Sequence, residues 1–209
     1  MGLPCCLLDP SAVVVADASV LINLNATGHA PQILRALPNP VVLVDIVLAE
    51  LNRGRANGKA DADLTAKLVH AGLAQIVSLG EIGLIQFERL VIGSAAETLD
   101  DGEAATVAYA TEVDAIVVID ERKANRICAT RFPKLAISCS VDILAHPEIQ
   151  KKLGRDQLSE AVFCALRDAR MRVMPHHVEW VVELIGQDLA SQCSSLPRSA
   201  RALQHSTRA

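Results

Sequence analysis

The feature that most constrains the fold is an uninterrupted apolar run at residues 115–119, which ends at Asp120. A short run without apolar and polar alternation is typical of a strand buried on both faces, as in the parallel sheets of α/β proteins. Residues 12–16 have the same character and end at Asp17. Each run passes directly into a segment whose apolar residues recur at helical spacing. The chain is therefore predicted to contain buried strands that lead straight into helices.

The same alternation continues along the first two thirds of the chain. Further strands are predicted at residues 41–44, 74–79 and 135–138, and helices are predicted between them. Because crossover connections between parallel strands are right-handed, such a series forms a parallel sheet with helices packed against it. The predicted fold class is α/β, namely a three-layer α/β/α sandwich with a central, mainly parallel sheet and additional C-terminal helices.

The pattern changes after His146-Pro147, where helical segments at residues 149–153, 157–170 and 178–189 follow without strands. From residue 192 onward polar residues dominate, as in solvated tails. We predict an N-terminal tail at 1–11, an α/β domain at 12–147, a helical C-terminal extension at 148–190 and a flexible tail at 191–209. His176, His177 and Trp180, beside Pro175, are interpreted as packing residues of the extension.

Composition limits the classes of function. A net charge of −4 argues against a broadly cationic nucleic-acid-binding surface, although local basic clusters beside an acidic site remain compatible with it. Aromatic residues make up 2% of the chain, so platforms for stacking bases are mostly absent. Any contact with nucleic acid would therefore depend on charge and backbone.

The cysteines and the apolar runs indicate a cytoplasmic protein. The six cysteines form no CxxC pair and have no zinc-like spacing with histidine, so reduced thiols are expected. The first residues lack the parts of a secretory signal, and the apolar runs near the start are shorter than the ~20 residues of a membrane helix. No membrane partner is expected.

Four acidic residues carry the functional prediction. Asp17 and Asp120 end strands, and Glu50 and Glu103 lie in the first turns of helices. The carboxyl ends of parallel strands meet at one edge of a sheet, so the four should converge there. Singly, each has an ordinary explanation as a helix cap or a solvated residue. Together they would repel one another unless a cation neutralised them, and carboxylate oxygens are the ligands of Mg²⁺ and Mn²⁺.

The segments around these acids resemble a known family. They read VADASVLI at 15–22, VLAEL at 47–51, DGEAA at 101–105 and VVIDERKA at 117–124. Together they resemble the PIN domain, a metal-dependent nuclease fold, over about residues 13–144. The glycine and glutamate of the third segment, and the helical extension, resemble its toxin-like (VapC-like) subgroup.

The resemblance implies a Mg²⁺- or Mn²⁺-dependent hydrolysis of RNA by a catalytic, metal-binding set of Asp17, Glu50, Glu103 and Asp120. Asp101 and Glu121 are further candidate ligands, and Ser19 would orient Asp17 or a metal-bound water. The implied partners are RNA, a small antitoxin protein and a second copy in a homodimer. Basic residues that follow Glu50 and Asp120 are candidates for binding flanking phosphates: Arg53, Arg55, Lys59, Arg122, Lys123 and Arg126.

Three functions remain open at this point. The first is a metal-dependent ribonuclease that acts as the toxin of a toxin–antitoxin pair. The second is a catalytically weak or inactive PIN-like protein that binds nucleic acid or regulates. The third is a haloacid-dehalogenase-like phosphatase, which also has an aspartate after its first strand. That family requires a second aspartate two residues later, where this chain has Ser19.

Overall fold

The computed structural model of the protein describes residues 6–55 and 58–202. Its five strands form one sheet in the order β3-β2-β1-β4-β5, and every neighbouring pair is parallel. The strands are β1 (Val14–Ala16), β2 (Val41–Val44), β3 (Gln75–Val77), β4 (Ile116–Val118) and β5 (Ile137–Ser138). All five predicted strands are present, most of them shorter at their ends than predicted.

Helices connect the strands and continue beyond them. They are α1 (Ala18–Ala26), α2 (Ala30–Ala36), α3 (Asp45–Arg55), α4 (Asp61–His70), α5 (Glu81–Val91), α6 (Asp101–Val113), α7 (Arg122–Arg131), α8 (Ser140–Leu144), α9 (Pro147–Asp168), α10 (Val178–Ile185), α11 (Gln187–Gln192) and α12 (Arg198–Arg201). Short 3₁₀ turns lie at Cys6–Leu8 and Pro175–His177. Within residues 6–55 and 58–202, none of these helices is both long and apolar enough to cross a membrane.

The centre of the sheet is covered on both faces. Every residue of β1, β2 and β4 is buried. Because successive side chains of a strand point to opposite faces, burial of all of them requires helices on both sides. Small residues let α6 pack closely against β1, β2 and β4, and Ala104, Ala105 and Ala108 are fully buried there. The predicted three-layer α/β/α sandwich is confirmed.

Several helix boundaries differ from the predictions. Helix α3 continues to Arg55, and α4 begins at Asp61, where two aspartates in the first turn favour a helix start. The helices predicted at 149–153 and 157–170 form one element, α9, with a kink at Gly154, whose φ is 72°. The helix predicted at 178–189 is divided at Gly186, whose φ of 81° is left-handed and suits glycine.

The ends of the chain pack against the rest of the molecule over more residues than predicted. Leu7 is fully buried, although it lies in the predicted N-terminal tail, and Cys193 and Leu196 are buried although they lie in the predicted C-terminal tail. These apolar side chains gain free energy by leaving water. Helix α9 packs against α1, α2 and α10, so the helical segment lies against the α/β core. The division into domains stays a prediction, and residues 1–5 and 203–209 of the predicted tails lie outside the described residues.

Strands β1 and β4 bring two of the predicted acids to one place. They are neighbours in the sheet, and Ala16 pairs with Val118 at their carboxyl ends. The backbone N–H of Asp17 donates to the carbonyl of Val118 at 3.3 Å. Asp17 and Asp120 therefore leave the sheet at the same edge, as the parallel arrangement predicts.

Candidate active site

A pocket of about 250 Å³ lies at the carboxyl edge of the sheet and is lined by all four predicted acids, Asp17, Glu50, Glu103 and Asp120. Asp17 and Asp120 come from strand ends, whereas Glu50 comes from the second turn of α3 and Glu103 from the first turn of α6. Residues from four separate elements thus meet in one depression. The pattern of strands and helices predicted this convergence.

Asp17 is held by the start of α1. It is the N-cap residue of that helix, and its Oδ2 accepts hydrogen bonds from the hydroxyl of Ser19 at 2.8 Å and from the backbone N–H of Ser19 at 3.3 Å. Burial raises the pKa of Asp17, and the bonds from Ser19 oppose that rise. Ser19 therefore orients one oxygen of Asp17.

Asp120 is the most constrained of the four. Its Oδ1 accepts from the backbone N–H of Ser140 at 2.8 Å, and its Oδ2 accepts from the hydroxyl of Ser140 at 2.5 Å and from Nδ2 of Asn23 at 2.6 Å. Burial raises the pKa of Asp120 to about 6, although these donors favour the ionised form. The side chain has a fixed orientation, so a ligand would meet a preorganised carboxylate.

Asn23 and Ser140 were not predicted as site residues. Both are buried polar residues, at 4% and 0% exposure, on α1 and α8, whose other buried side chains are apolar except Asp142. For Asn23, a polar residue on the apolar face of a predicted helix is the sequence feature that could have indicated it. Their partner could not be inferred, because Asn23 lies 97 positions and Ser140 lies 20 positions from Asp120.

The N-terminal turn of α6 places Glu103 near Asp17, in the pocket that Glu50 also lines. Oε2 of Glu103 accepts a 3.3 Å hydrogen bond from the backbone N–H of Asp100. Burial, together with the charge of Asp17, raises the pKa of Glu103 to about 7. Burial and the charge of Asp17 also raise the pKa of Glu50, against the effect of Arg53. The pocket therefore holds negative charge that the protein does not fully compensate.

Gly102 makes this approach possible. A Cβ at this position would overlap Oε2 of Glu50 and would lie 3.3 Å from Oδ1 of Asp17. A residue with a Cβ here would push the end of the Glu50 side chain away from the start of α6. The glycine between Asp101 and Glu103 therefore allows Glu50 to lie against this helix, which gives a physical reason for the DGE segment.

The two further candidate ligands, Asp101 and Glu121, differ in their position relative to the pocket. Asp101 is exposed and is not among the described residues that line the pocket, whereas Asp100, the N-cap residue of α6, lines it. Asp100 lies just before α6, at the end of the helix that faces the pocket, and its side chain lines the pocket. Glu121 also lines the pocket and is ion-paired, with its Oε2 2.8 Å from Nη1 of Arg172.

Residues 169–172, which follow α9, form part of the pocket wall. We call them the C-terminal strap. Met171 is buried at 1% exposure and anchors the strap, while Arg170 and Arg172 are exposed and supply the positive charges among the described lining residues. No local motif pointed to these residues, because their position depends on how α9 packs against α1.

None of the six predicted phosphate-binding cations is among the described residues that line the pocket. Arg55 is ion-paired with Asp63 at 3.1 Å. Lys123 and Arg126 donate to the backbone carbonyls of residues 95 and 96, at 3.4 Å and 3.0 Å, and so hold the loop before α6. The charge of Arg53 lowers the pKa of Glu50. Arg122 is exposed, and Lys59 lines a groove beside the pocket.

The donor set of the pocket fits a hard cation. Its acidic lining offers carboxylate oxygens, and the described lining residues include no thiol and no imidazole. Mg²⁺ and Mn²⁺ prefer such oxygens, and Mg²⁺ commonly binds one or two carboxylates and keeps several waters. A cation would also offset the negative charge that, with burial, raises the pKa of Glu50 and Glu103. Asp17, Glu50, Glu103 and Asp120 are therefore suited to hold it.

A second group of potential metal ligands lies outside the pocket. The ligand atoms of Cys139, Asp142 and His177 are all within 4.8 Å of one another, and within the described residues no three of the pocket acids meet that criterion. Asp142 is already partnered: its Oδ2 accepts from the backbone N–H of Cys139 at 2.9 Å and from Ser138 Oγ at 3.1 Å.

The contact between Asp142 and His177 joins α8 to the C-terminal helices. Oδ1 of Asp142 lies 2.9 Å from Nε2 of His177, whose side chain is fully buried. Burial alone would raise the pKa of Asp142, but His177 and the donors of Cys139 hold it below its ordinary value. We call this pair the latch. It accounts for the buried position of His177, which was expected to pack within the extension.

The fold and the pocket together define an α/β protein with a carboxylate site of the kind that metal-dependent hydrolases use. A family model described as PIN domain, DUF3368, matches residues 13–187, and the chain therefore belongs to the PIN-domain family. PIN domains are generally metal-dependent nucleases that act on RNA or other nucleic acid. Searches of curated proteins and of solved structures found no significant match.

The family assignment confirms the predicted resemblance at the level of the PIN domain. The match extends beyond the predicted end near residue 144 and includes α9 and α10. The C-terminal strap therefore lies within the matched region. The toxin-like subgroup stays a prediction.

Proposed function

We propose that this protein is a metal-dependent ribonuclease in which Asp17, Glu50, Glu103 and Asp120 are the catalytic carboxylates and hold Mg²⁺ or Mn²⁺. One observation carries the proposal: four acids from four elements line a single pocket at the carboxyl edge of the sheet. Buried carboxylates that repel one another destabilise a fold, so their convergence favours a role that requires them.

The bound cation would supply an activated water and would stabilise negative charge on the phosphate. The protein supports that chemistry by orienting its ligands. Asp120 is held by Asn23 and Ser140, and Asp17 is held by Ser19. Glu103, with a pKa near 7 in the metal-free protein, would lose its proton when the cation binds. Arg170 and Arg172 at the rim offset the repulsion between a phosphate backbone and the acids.

A cleavage assay tests the proposal. Purified protein is incubated with labelled single-stranded RNA, or with DNA of the same sequence, in Mg²⁺ or Mn²⁺. We expect cleavage of RNA that EDTA abolishes and that Asp17→Asn and Asp120→Asn each reduce at least about 100-fold, as loss of a metal ligand should. Asp156→Asn is the matched control, because Asp156 is exposed on α9 and is not among the described lining residues. Cleavage that survives EDTA and both variants would refute the mechanism.

The alternative is a PIN-like protein that binds nucleic acid without efficient cleavage. The wide spacing of the acids favours it, since no three of the described pocket carboxylates lie within 4.8 Å of one another. Calorimetric titration with Mn²⁺ separates the two. Binding that Asp17→Asn weakens supports the nuclease, whereas RNA binding without any divalent-ion binding supports the alternative. Membership of the PIN family leaves the phosphatase hypothesis without support.

We also propose that the protein is the cytoplasmic toxin of a toxin–antitoxin pair, a homodimer inhibited by a small antitoxin. The motif resemblance supports this extension. Expression in a bacterial host should arrest growth, and Asp120→Asn should relieve the arrest. Light scattering of the purified protein measures the oligomeric state. Growth unaffected by an active enzyme would refute the toxin role and leave the nuclease proposal intact.

A further inference from the structure

A groove of about 450 Å³ adjoins the acidic pocket. The two depressions share Ile22, Ala169 and Arg170 as a common wall, and Lys59 lies in the groove beyond them. We call this depression the side groove. Because the same residues line both, a chain molecule bound in the pocket can continue into the side groove without leaving the surface.

Arg170 stands at the junction, where it follows the C-cap residue of α9. Its φ of 54° is the left-handed conformation with which helices commonly end. Its neighbour Met171 is buried, and the backbone N–H of Met171 donates to the carbonyl of Ala165 at 3.0 Å. These contacts fix the backbone that carries Arg170 at the junction.

The guanidinium of Arg170 is available to a ligand. Arg167 is ion-paired with Asp168 at 2.6 Å and Arg172 with Glu121 at 2.8 Å, whereas the described residues give Arg170 no ion pair. Lys59 likewise has no ion pair within the described part of the chain and is exposed. Two cationic side chains that form no ion pair with the described residues therefore lie along one groove.

The acids of the side groove do not cancel this charge. Asp168 is neutralised by Arg167, and Oδ1 of Asp61 accepts a 3.3 Å hydrogen bond from Asn25. Among the described residues that line the groove, this leaves the negative charge of Asp61 and the positive charges of Lys59 and Arg170, so positive charge is in excess. Ile22, half-buried at the junction, offers an apolar surface for a sugar or base between the two cations.

We propose that the side groove binds the phosphate backbone of single-stranded RNA on one side of the cleaved bond. Arg170 contacts the phosphate adjacent to the acidic pocket, and Lys59 contacts a phosphate farther along the strand. The proposal rests on the proposed nuclease function. It adds the direction in which the RNA strand leaves the acidic pocket, which is over Ile22. A substrate that ends at the pocket cannot use these contacts.

The first test compares Arg170→Gln and Lys59→Gln with Arg35→Gln, an exposed arginine on α2 outside both depressions. On a long single-stranded RNA, Arg170→Gln should raise KM roughly tenfold, the loss expected for one charge-assisted contact, with kcat within about twofold. Arg170→Lys should restore part of the affinity. Lys59→Gln should raise KM on the long RNA but should match the original on a dinucleotide, because Lys59 lines the side groove and not the acidic pocket. An equal loss of Lys59→Gln on both substrates, or no change of either variant relative to Arg35→Gln on the long RNA, overturns the proposal.

The second test measures binding in EDTA by fluorescence anisotropy, so it does not depend on cleavage. Removing one phosphate contact should lower the slope of log K against log salt by about one. An unchanged slope, or equally tight and equally Arg170-dependent binding of duplex RNA, overturns the proposal. If the protein binds RNA through Arg170 and never cleaves it in Mg²⁺ or Mn²⁺, the nuclease function fails and the RNA-binding groove stands.

Discussion

The side-chain amide of Asn23 donates a 2.6 Å hydrogen bond to Oδ2 of Asp120, although 97 positions separate the two residues. Asn23 lies on α1, which begins at the end of β1, and Asp120 follows β4. The adjacency of these strands therefore creates the contact. Asn23 favours the ionised form of a carboxyl group whose pKa burial raises.

Replacement of Asn23 by leucine should shift the pH dependence of cleavage. The donor to Asp120 is lost, so the pKa of Asp120 rises further and the acidic limb of the rate profile moves to higher pH. A hydrogen bond to a charged group is worth about 1.5–3 kcal/mol, which corresponds to a shift of roughly one unit or more. Profiles of kcat/KM between pH 5 and 9 measure it.

Asn52→Leu is the control for this change, because Asn52 is an exposed asparagine on α3 outside the described pocket lining. Ser140→Ala should act in the same direction as Asn23→Leu, since its hydroxyl donates to the same oxygen. An acidic limb that stays in place in both variants would contradict the role assigned to these donors.

Gly102→Ala should impair the site without unfolding the protein. The added methyl would overlap Oε2 of Glu50, so the end of the Glu50 side chain must move. We expect at least a tenfold loss of activity, in keeping with the effect of misplaced catalytic groups, and weaker Mn²⁺ binding by calorimetry. Gly54→Ala on α3 is the matched control, because its Cβ would meet only Lys59, at 3.6 Å.

Alanine has a higher helix propensity than glycine by up to about 1 kcal/mol, so neither variant should lower the melting temperature substantially. Equal activity of Gly102→Ala and Gly54→Ala would show that the spacing between Gly102 and Glu50 is unimportant.

The metal-free protein should lose stability as the pH rises from about 4.5 to 7. The folded state raises the pKa of Glu103 to about 7 and of Asp120 to about 6. A raised pKa means that the folded state binds more protons, so its contribution is complete below the unfolded pKa and is lost as pH rises through the folded pKa. Urea denaturation in EDTA should show a fall on the order of a few kcal/mol, since one pKa unit corresponds to about 1.4 kcal/mol.

Glu103→Gln and Asp120→Asn should each flatten this pH dependence, and saturating Mn²⁺ should reduce it by binding the ionised carboxylates. Asp156→Asn, which changes an exposed acid, should leave it unaltered. A metal-free protein that is equally stable at pH 4.5 and 7 would contradict the raised pKa values.

The latch between Asp142 and His177 should contribute strongly to stability. Asp142→Asn weakens the hydrogen bonds that this carboxylate accepts from Cys139 and Ser138 and its contact with His177, and the loss of a hydrogen bond to a charged group costs about 1.5–3 kcal/mol. Asp168→Asn breaks an exposed pair with Arg167, and such pairs are worth only about 0–1 kcal/mol. Urea denaturation of the two variants at pH 7 gives the comparison. Similar losses in both would mean that the latch has no special role.

Much of the fold followed from local pattern. The apolar runs before Asp17 and Asp120 indicated buried parallel strands, because a strand covered on both faces cannot alternate apolar and polar residues. The same runs indicated that both aspartates end at one edge of the sheet. The helix starts that carry Glu50 and Glu103 then completed a set of four acids that line one pocket.

Other parts of the site depended on contacts between distant segments. The start of α6 decided that Asp100 lines the pocket and that the predicted candidate Asp101 does not, because Asp100 caps the helix there. Helix boundaries are uncertain by one or two residues in any pattern, and one residue rotates a side chain by about 100°. Position along the helix therefore could not be settled from the segment alone.

The sequence by itself determined the order of strands and helices, the parallel sheet and the acids at its carboxyl edge, because these follow from periodicity and from residues a few positions apart. Only the tertiary structure decided that Asn23 and Ser140 hold Asp120, that the latch joins α8 to the C-terminal helices, and that Arg170 reaches the pocket rim. These relationships arise from packing between elements that are far apart in the chain, and no local pattern of residues encodes them.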